Sequence, residues 1–234
     1  MKPVIEISNL FFSYPDGKRA LEDINLQVNA GEKIALVGAN GAGKSTLLLH
    51  LNGIFDGTGK VTIDSLPVNK DNLRQIRAIV GVVFQNPDDQ LFSSTVNEDV
   101  AYGLIYQGLD KKLIAERVDQ ALQAVGMGEA GERNPYHLSG GEKKRIAIAT
   151  VLSMQPQILV FDEPTSGLDP RARRELIDLL QKLPQTILIA THDLGLVEKL
   201  TSRTVIMDQG RIVADGSTSV ILNDETLLLA HGLR

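Results

Sequence analysis

The sequence predicts an α/β protein with a mixed, mostly parallel core sheet, a small antiparallel β subdomain and an inserted helical subdomain. Three observations predict it. Buried-type apolar runs at 34–37, 79–84, 158–161 and 186–190 are interleaved with helical patterns, which argues for parallel strands covered on both faces. Two alternating runs precede the first of them, and from Asp88 to Ser153 the pattern turns largely helical.

In chain order, residues 4–12 alternate as a strand that ends at the turn Tyr14-Pro15-Asp16-Gly17, and residues 21–28 form a second strand closing at Asn29-Ala30-Gly31. A helix is expected over about 44–52, a hairpin over 60–68 and a polar link over 69–78. The strand at 79–84 ends at Gln85-Asn86-Pro87, because proline has no N–H for a central ladder and biases its predecessor away from helix. Helices follow over 95–106, 112–125 and 141–153, and again over 170–182. Residues 204–208 and 211–215 make a hairpin about Gln209-Gly210, and the tail from Ser217 to Arg234 reads as a short helical end. The expected division is 1–86 with 154–234 as the core and 87–153 as the insert.

The 234 residues, 43% hydrophobic, suffice for one sizeable core. Net charge is −5 with Lys and Arg scattered, which argues against nucleic acid as the main partner. The absence of cysteine excludes disulfides and thiolate metal sites. Met1 to Glu6 lacks the apolar core of a leader, and no run approaches the ~18 apolar residues of a membrane helix. A soluble chain is expected, with any membrane role supplied by a partner.

The most informative stretch is Gly38-Ala39-Asn40-Gly41-Ala42-Gly43-Lys44-Ser45-Thr46, between a buried strand and a helix. It fits the phosphate-binding pattern of two glycines with four residues between them, followed by Lys and Ser. Glycines let the chain curl until successive N–H groups face phosphate oxygens, and the helix start adds its positive dipole end. The candidate nucleotide contacts are Asn40, Gly41, Gly43, Lys44, Ser45 and Thr46, with Lys44 reaching the β- and γ-phosphates and Ser45 ligating Mg²⁺. A turn that bound nothing would have no use for Lys and Ser at those offsets.

Further candidates come from strand ends, where an open α/β sheet places its ligands. Asp162 and Glu163 end one apolar run, Asp162 suited to hold Mg²⁺ and Glu163 to polarise an attacking water. His192 follows the next run, placed to contact the γ-phosphate, and Gln85 ends a third, able to ligate Mg²⁺ or orient water. Tyr14 reads equally as a base-stacking ring or as a cover for the sheet edge. In Leu138-Ser139-Gly140-Gly141-Glu142, Ser139 and Glu142 satisfy the capping-box spacing, and Gly140 and Gly141 leave N–H groups open to an anion. Alone, that stretch reads equally as a well-capped helix.

Taken together and in this order, the phosphate loop, the Gln85 turn, the Ser139 stretch, Asp162-Glu163, Ser166-Gly167-Leu168-Asp169 and His192 resemble the nucleotide-binding subunit of an ATP-binding cassette transporter, a P-loop NTPase. The resemblance implies ATP and Mg²⁺ as ligands, Tyr14 on adenine, Gln85 as the link to a membrane partner, Glu163 as general base and His192 as its companion. It also implies a head-to-tail dimer of identical or related copies, in which Ser139 and Gly141 of one copy close over the ATP of the other and Asp169 lies at the junction. One departure is visible: Glu142 stands where the family usually has Gln, and its charge is expected to slow hydrolysis. Gln85-Asn86-Pro87-Asp88-Asp89-Gln90-Leu91-Phe92 is similar to the ATPases of energy-coupling factor importers for vitamins and transition metals, and residues 227–233 resemble the cobalt and nickel branch. That similarity implies a peripheral protein on the cytoplasmic face, contacting an integral-membrane coupling subunit through Gln85 to Phe92. Leu91 and Phe92 read either as exposed contacts or as buried within the helical part. The rival class is a soluble cassette ATPase of DNA repair or chromosome maintenance, which carries coiled-coil or zinc-bearing insertions.

Overall fold

The computed structural model describes residues 3–233. The expectations that touch Met1, Lys2 and Arg234, at the start of the N-terminal stretch and the end of the tail, lie outside the described residues. Along the chain come β1 (Pro3–Ser13), β2 (Arg19–Asn29), β3 (Lys33–Val37), α1 (Lys44–His50), β4 (Thr58–Ile63), β5 (Leu66–Pro67), α2 (Leu73–Ile79) and β6 (Val80–Val83). Then follow α3 (Val96–Gln107), α4 (Lys111–Ala124), α5 (Gly140–Leu152), β7 (Ile158–Asp162), α6 (Pro170–Lys182) and β8 (Thr186–Ala190). The chain closes with α7 (Leu194–Leu200), β9 (Arg203–Asp208), β10 (Arg211–Ser217), α8 (Thr218–Asn223) and α9 (Glu225–Ala230).

The first alternating runs build a four-stranded antiparallel sheet in the order β2-β1-β4-β5. The apolar runs build a six-stranded sheet in the order β10-β9-β3-β8-β7-β6, parallel throughout except for the β9–β10 hairpin. Every residue of β8 is buried, which is why these strands lack alternation in the sequence. The period of two survives in what each residue touches. Along β7, Leu159 and Phe161 join the core formed with α3, α4 and α5, while Ile158 and Val160 join the opposite core with Leu36 and Leu48. The mixed α/β fold of the P-loop NTPase class is thus realised with both faces of the sheet covered.

Helix starts follow their caps. Thr95 with Glu98 and Ser139 with Glu142 form reciprocal capping boxes for α3 and α5, and Asp110 and Asp169 cap α4 and α6. Two helices depart from the sequence expectation. The supposed polar link contains α2, whose inward face is carried by Ile76 alone among fully buried residues, too little to register as a period. Helix α7, after His192, holds only seven residues, one of them Gly195. The tail divides into α8 and α9 at Asp224, which ends one and starts the other. His231 Nδ1 then meets Asp208 Oδ2 at 2.9 Å and ties the tail to the β9–β10 hairpin.

Helix α5 lies so close on the sheet that a Cβ at Gly81 would stand 2.1 Å from Val151 Cγ1 and 3.1 Å from Pro156 Cγ. Gly81→Val is therefore expected to lower stability by about 1–3 kcal/mol through overpacking, read as a lower urea midpoint with an unchanged slope.

Candidate functional site

The loop after β3 is shaped by contacts that only glycine allows. A Cβ on Gly38 would lie 2.2 Å from the Met207 carbonyl oxygen, and Gly43 combines φ 102° with a Cβ position 2.6 Å from the Ala20 carbonyl oxygen. Gly43 starts α1 without a side-chain cap, so no side chain of the loop covers the first-turn amides. Lys44, 6% exposed, donates from Nζ to the carbonyl oxygens of Gly38 at 2.7 Å and Ala39 at 3.2 Å. Burial pulls its ammonium below the usual lysine range, and the Glu163 and Asp162 carboxylates oppose that shift.

Those carboxylates arrive at the end of β7. Burial raises the Asp162 carboxyl above the usual range, with the Ser45 hydroxyl beside it acting the other way. Its Oδ1 is buried and has no hydrogen-bond partner among the described residues. Glu163, 7% exposed, adopts φ 45°, a left-handed conformation that costs a glutamate about 1 kcal/mol or more. Its surroundings hold it there. Its N–H donates to Ala190 O at 2.8 Å, and its carbonyl oxygen accepts from Ser166 N at 3.1 Å and Lys144 Nζ at 3.1 Å. On the side chain, His192 Nδ1 donates to Oε1 at 3.0 Å and Thr191 Oγ1 to Oε2 at 3.2 Å.

His192 is itself fixed by its neighbours. Asp193 N donates to Thr191 Oγ1 at 3.0 Å, and the Asp193 carboxylate accepts from Arg173 Nε at 2.7 Å, Arg173 Nη2 at 2.6 Å and Thr165 Oγ1 at 3.0 Å. Burial would raise the Asp193 carboxyl, but these donors and the Leu196 amide outweigh it and hold the group below its ordinary value.

Tyr14, Asn40, Gly41, Gly43, Lys44, Ser45 and Thr46 line one cavity with Gln85, Glu163 and His192. Tyr14 donates to or accepts from Thr46 Oγ1 at 2.8 Å, and its ring meets Phe12 edge-on at 5.2 Å between centroids, so its position is set from two sides. Ser139, Gly140 and Gly141 do not line this cavity. They form the start of α5, where a Cβ on Gly141 would approach Ala172 Cβ of α6 to 3.2 Å. The Ser139 stretch and the start of α6, capped by Asp169, are therefore neighbours.

Four features of the site escaped the sequence reading. Lys18 and Arg19 line the cavity beside Tyr14. Lys144, 7% exposed, enters the site from α5, and Thr191 bridges Glu163 to the Asp193 cap. Charged residues near a helix start look solvated in a sequence, and nothing in the spacing marks Lys144 as internal. The two readings of Leu91 and Phe92 divide between them: Leu91 is only 2% exposed and belongs to the helical core, while Phe92 is 59% exposed. Gln90 causes this, accepting from Phe84 N at 3.2 Å and donating to Ala147 O at 2.8 Å and Thr150 Oγ1 at 2.7 Å, which turns Leu91 inward.

The donor set suits a hard cation. No cluster of three or more His, Asp or Glu ligands occurs among the described residues, but an orphaned carboxylate oxygen on Asp162 lies near the Ser45 hydroxyl, with Gln85 on the same cavity. Mg²⁺ takes few protein oxygens and completes its shell with phosphate and water, so these residues fit it.

A glycine loop that sets a buried lysine against two strand-end carboxylates places the protein in the P-loop NTPase class. Residues 21–166 match the model of the ABC transporter family, and the chain belongs to that family. A family relative from Streptomyces avermitilis is 52% identical over 99% of this chain and 88% of its own length. The energy-coupling factor transporter ATP-binding protein EcfA of Methanothermobacter thermautotrophicus is 48% identical over 99% of this chain and 76% of its own. Among solved structures, cbiO1 from Clostridium perfringens, part of the ABC transporter complex cbiONQ, superposes with a TM-score of 0.87 at 36% identity, covering 100% of this chain and 96% of that one. The chain is accordingly an ATP-binding subunit and ATPase of the ABC transporter family.

Glu142, the residue that departs from the family's usual Gln, is held by Ser139 N at 2.8 Å and Arg133 Nη1 at 2.8 Å. The Ser139 backbone amide first, and Arg133 next, lower its carboxyl to about 2. A carboxyl depressed on folding stabilises the native state above its unfolded pKa, and this contribution is lost as pH falls through the folded value. Glu142→Gln is expected to remove a stability increment that the wild type holds above about pH 4.5 and gives up towards about pH 2. Urea midpoints of the two proteins across that range should converge at the acid end.

Proposed function

We propose that the chain is the ATP-hydrolysing subunit of an importer of the energy-coupling factor type, serving a transition metal ion such as cobalt or nickel, or a vitamin. Two names support this reading: EcfA among the relatives, and the cbiONQ complex to which the structural neighbour belongs. Among the described residues no helix is long and apolar enough to cross a membrane, so the subunit would sit peripherally on the cytoplasmic face against a membrane-spanning partner. Residues 1–86 and 154–234 form the nucleotide-binding part in this reading, with 87–153 inserted between β6 and β7. These two strands are adjacent in the sheet, so the insert can leave and return at one edge.

The observation that carries hydrolysis is the Glu163–His192 pair at 3.0 Å, on the same cavity as Lys44. Glu163 takes the proton of the water that attacks the γ-phosphorus, and His192 fixes the carboxylate through Nδ1. Lys44 and the loop amides hold the phosphates, and Tyr14 stacks on adenine. Ser45, Asp162 and Gln85 would hold Mg²⁺, which would supply charge neutralisation on the phosphate oxygens. Ser139, Gly140 and Gly141 lie off this cavity, which fits their serving the nucleotide of a second copy in a homodimer or a heterodimer with a related ATPase.

The membrane contact is supported by a second cavity, of 410 Å³, lined by Phe84, Gln90, Phe92, Tyr102, Tyr106 and Met154 among others. Phe92 and Tyr102 meet edge to face at 5.0 Å, and both are more than half exposed. The occupant is a short cytoplasmic segment of the membrane subunit, because Phe84 and Gln90 flank the same turn that brings Gln85 to the nucleotide cavity. No described helix exceeds the fourteen residues of α4, which removes the coiled-coil arms of the DNA-repair reading.

Glu163→Gln is expected to leave Mg·ATP affinity within about threefold while phosphate release falls by about a hundredfold or more. Lys44→Ala should instead weaken nucleotide binding by at least about tenfold, since it removes a charge-assisted contact made in the ground state. Retention of most hydrolysis in the Glu163 variant would place the base elsewhere. Replacing Phe92 and Tyr106 together by Ser should cut recovery of membrane subunits from detergent extracts by at least about tenfold while the isolated chain hydrolyses ATP as before.

A further inference from the structure

Lys144 is unusual for its position. It stands near the start of α5, as the fifth residue of the helix, where positive charge opposes the helix dipole, and its side chain runs inward instead of into water. Its neighbour Lys143 turns instead to a surface partner and pairs at 2.6 Å with Asp88, which is half exposed. A lysine in the interior needs acceptors and counter-charge. Lys144 Nζ finds two backbone acceptors, Gln85 O at 3.2 Å and Glu163 O at 3.1 Å, and the Glu163 and Asp162 carboxylates are near enough to favour its charged form.

We infer that Lys144 is a positioning residue for ATP hydrolysis, whose ammonium clamps the turn carrying Gln85 to the left-handed turn carrying Glu163 so that the two are set relative to each other by one atom. The inference rests on the reading of Glu163 as general base. Gln85 follows β6 and Glu163 follows β7, and these neighbouring parallel strands contribute no ladder hydrogen bond beyond Val83 and Phe161 in register. Past that point the two chains diverge, Gln85 into an exposed turn and Glu163 into a conformation with positive φ. Lys144 is the group that crosses the gap. Because it issues from α5, it also fixes both turns to the helix that begins with Ser139 and Gly141. A shift of the Gln85 turn, which borders the apolar cavity, is thereby delivered to the backbone of the catalytic carboxylate. Lys144 bonds to main-chain oxygens and leaves the reacting groups to others.

The test compares Lys144→Met, Lys144→Gln and, as control, Lys143→Met in the full chain. Three readouts are needed: Mg·ATP affinity, steady-state kcat and KM, and amide hydrogen exchange over 84–91 without nucleotide. Lys144→Met should lower kcat at least about tenfold with KM and affinity within about threefold, the pattern of a misplaced catalytic group. Exchange over 84–91 should quicken by about tenfold while the β3 and β8 amides keep their protection. Lys144→Gln retains a donor and should recover part of kcat, and it keeps the test available if the Met variant does not fold; Lys143→Met should leave kcat within about twofold, as an exposed ion pair contributes little. The inference is overturned if kcat in the folded Lys144 variant stays within about twofold of wild type, or if affinity, kcat and protection throughout the chain decline together, as a merely structural role requires. Should hydrolysis survive Glu163→Gln, the base assignment fails, whereas exchange over 84–91 still reports on the clamp itself.

Discussion

Four charges withdrawn from water at one end of a parallel sheet constrain everything around them. Lys44 and Lys144 supply two ammonium groups, Asp162 and Glu163 two carboxylates, and both lysines and Glu163 are less than a tenth exposed. A lone buried ion costs several kcal/mol even after relaxation, so each member of this set lowers the cost of burying the others. Burial pushes Lys44, Lys144 and Asp162 toward their neutral forms, and the opposite charges within the set act against it, the carboxylates on each lysine and the lysines on Asp162. The set is neutral as a group. Nucleotide and metal, one negative and one positive, can then enter without leaving the protein with a large uncompensated charge.

Delivery of these groups explains the order of the strands. The lysine loop leaves β3 and the carboxylates leave β7, but the two strands do not touch, because β8 lies between them. That strand brings Thr191 and His192 into the interval, and both bond to the Glu163 carboxylate. The strained backbone at Glu163 follows from the same placement: β7 ends with Asp162 paired in register with Ala190, and the chain must turn at once for Glu163 to face the interval. Ala190 O, Ser166 N and Lys144 Nζ meet that turn at the main chain. Helix α6 contributes from further off, since Arg173 grips the Asp193 cap beside His192 with two nitrogens of one rigid fork. Asp169, which caps the same helix, lies one turn before Arg173, whose N–H donates to its carbonyl oxygen at 2.9 Å.

Much of this was legible in the sequence because local chemistry and global placement agree. The glycine loop requires its Lys and Ser at fixed offsets, the buried strands announce themselves as short apolar runs, and Ser139 with Glu142 marks a helix start by spacing alone. Illegible features share a different cause: they depend on which way one side chain turns. Leu91 and Phe92 are adjacent and equally apolar, and only the three hydrogen bonds of Gln90 decide that Leu91 goes inward. Lys143 and Lys144 are identical in kind and consecutive, yet one meets a surface carboxylate and the other two main-chain carbonyls. Helices α2 and α7 have seven residues each, less than two full turns of pattern, so their period could not stand above the polar background. Tyr14 was ambiguous for a further reason, because the same ring both lines the nucleotide cavity and packs against Phe12 and Phe55.

Glu142 shows how a local departure is absorbed. In the sequence its charge stands where the family usually has a neutral amide, close to residues expected to face a triphosphate, and repulsion seemed the natural consequence. In the structure both carboxylate oxygens are engaged inside the chain, Oε2 by the Ser139 amide and Oε1 by Arg133, which is itself about half exposed. The amide bond is what any residue completing this capping box must make, and glutamine can make it equally through its carbonyl oxygen. What glutamate adds is the pairing with Arg133, so the extra negative charge arrives with a positive one at 2.8 Å. An approaching phosphate then meets a close pair and the positive start of α5, and at distances beyond a few ångströms such a pair has little net field. The substitution is therefore better understood as a change in how the start of α5 is tied to residue 133 than as a change in the charge offered to the nucleotide.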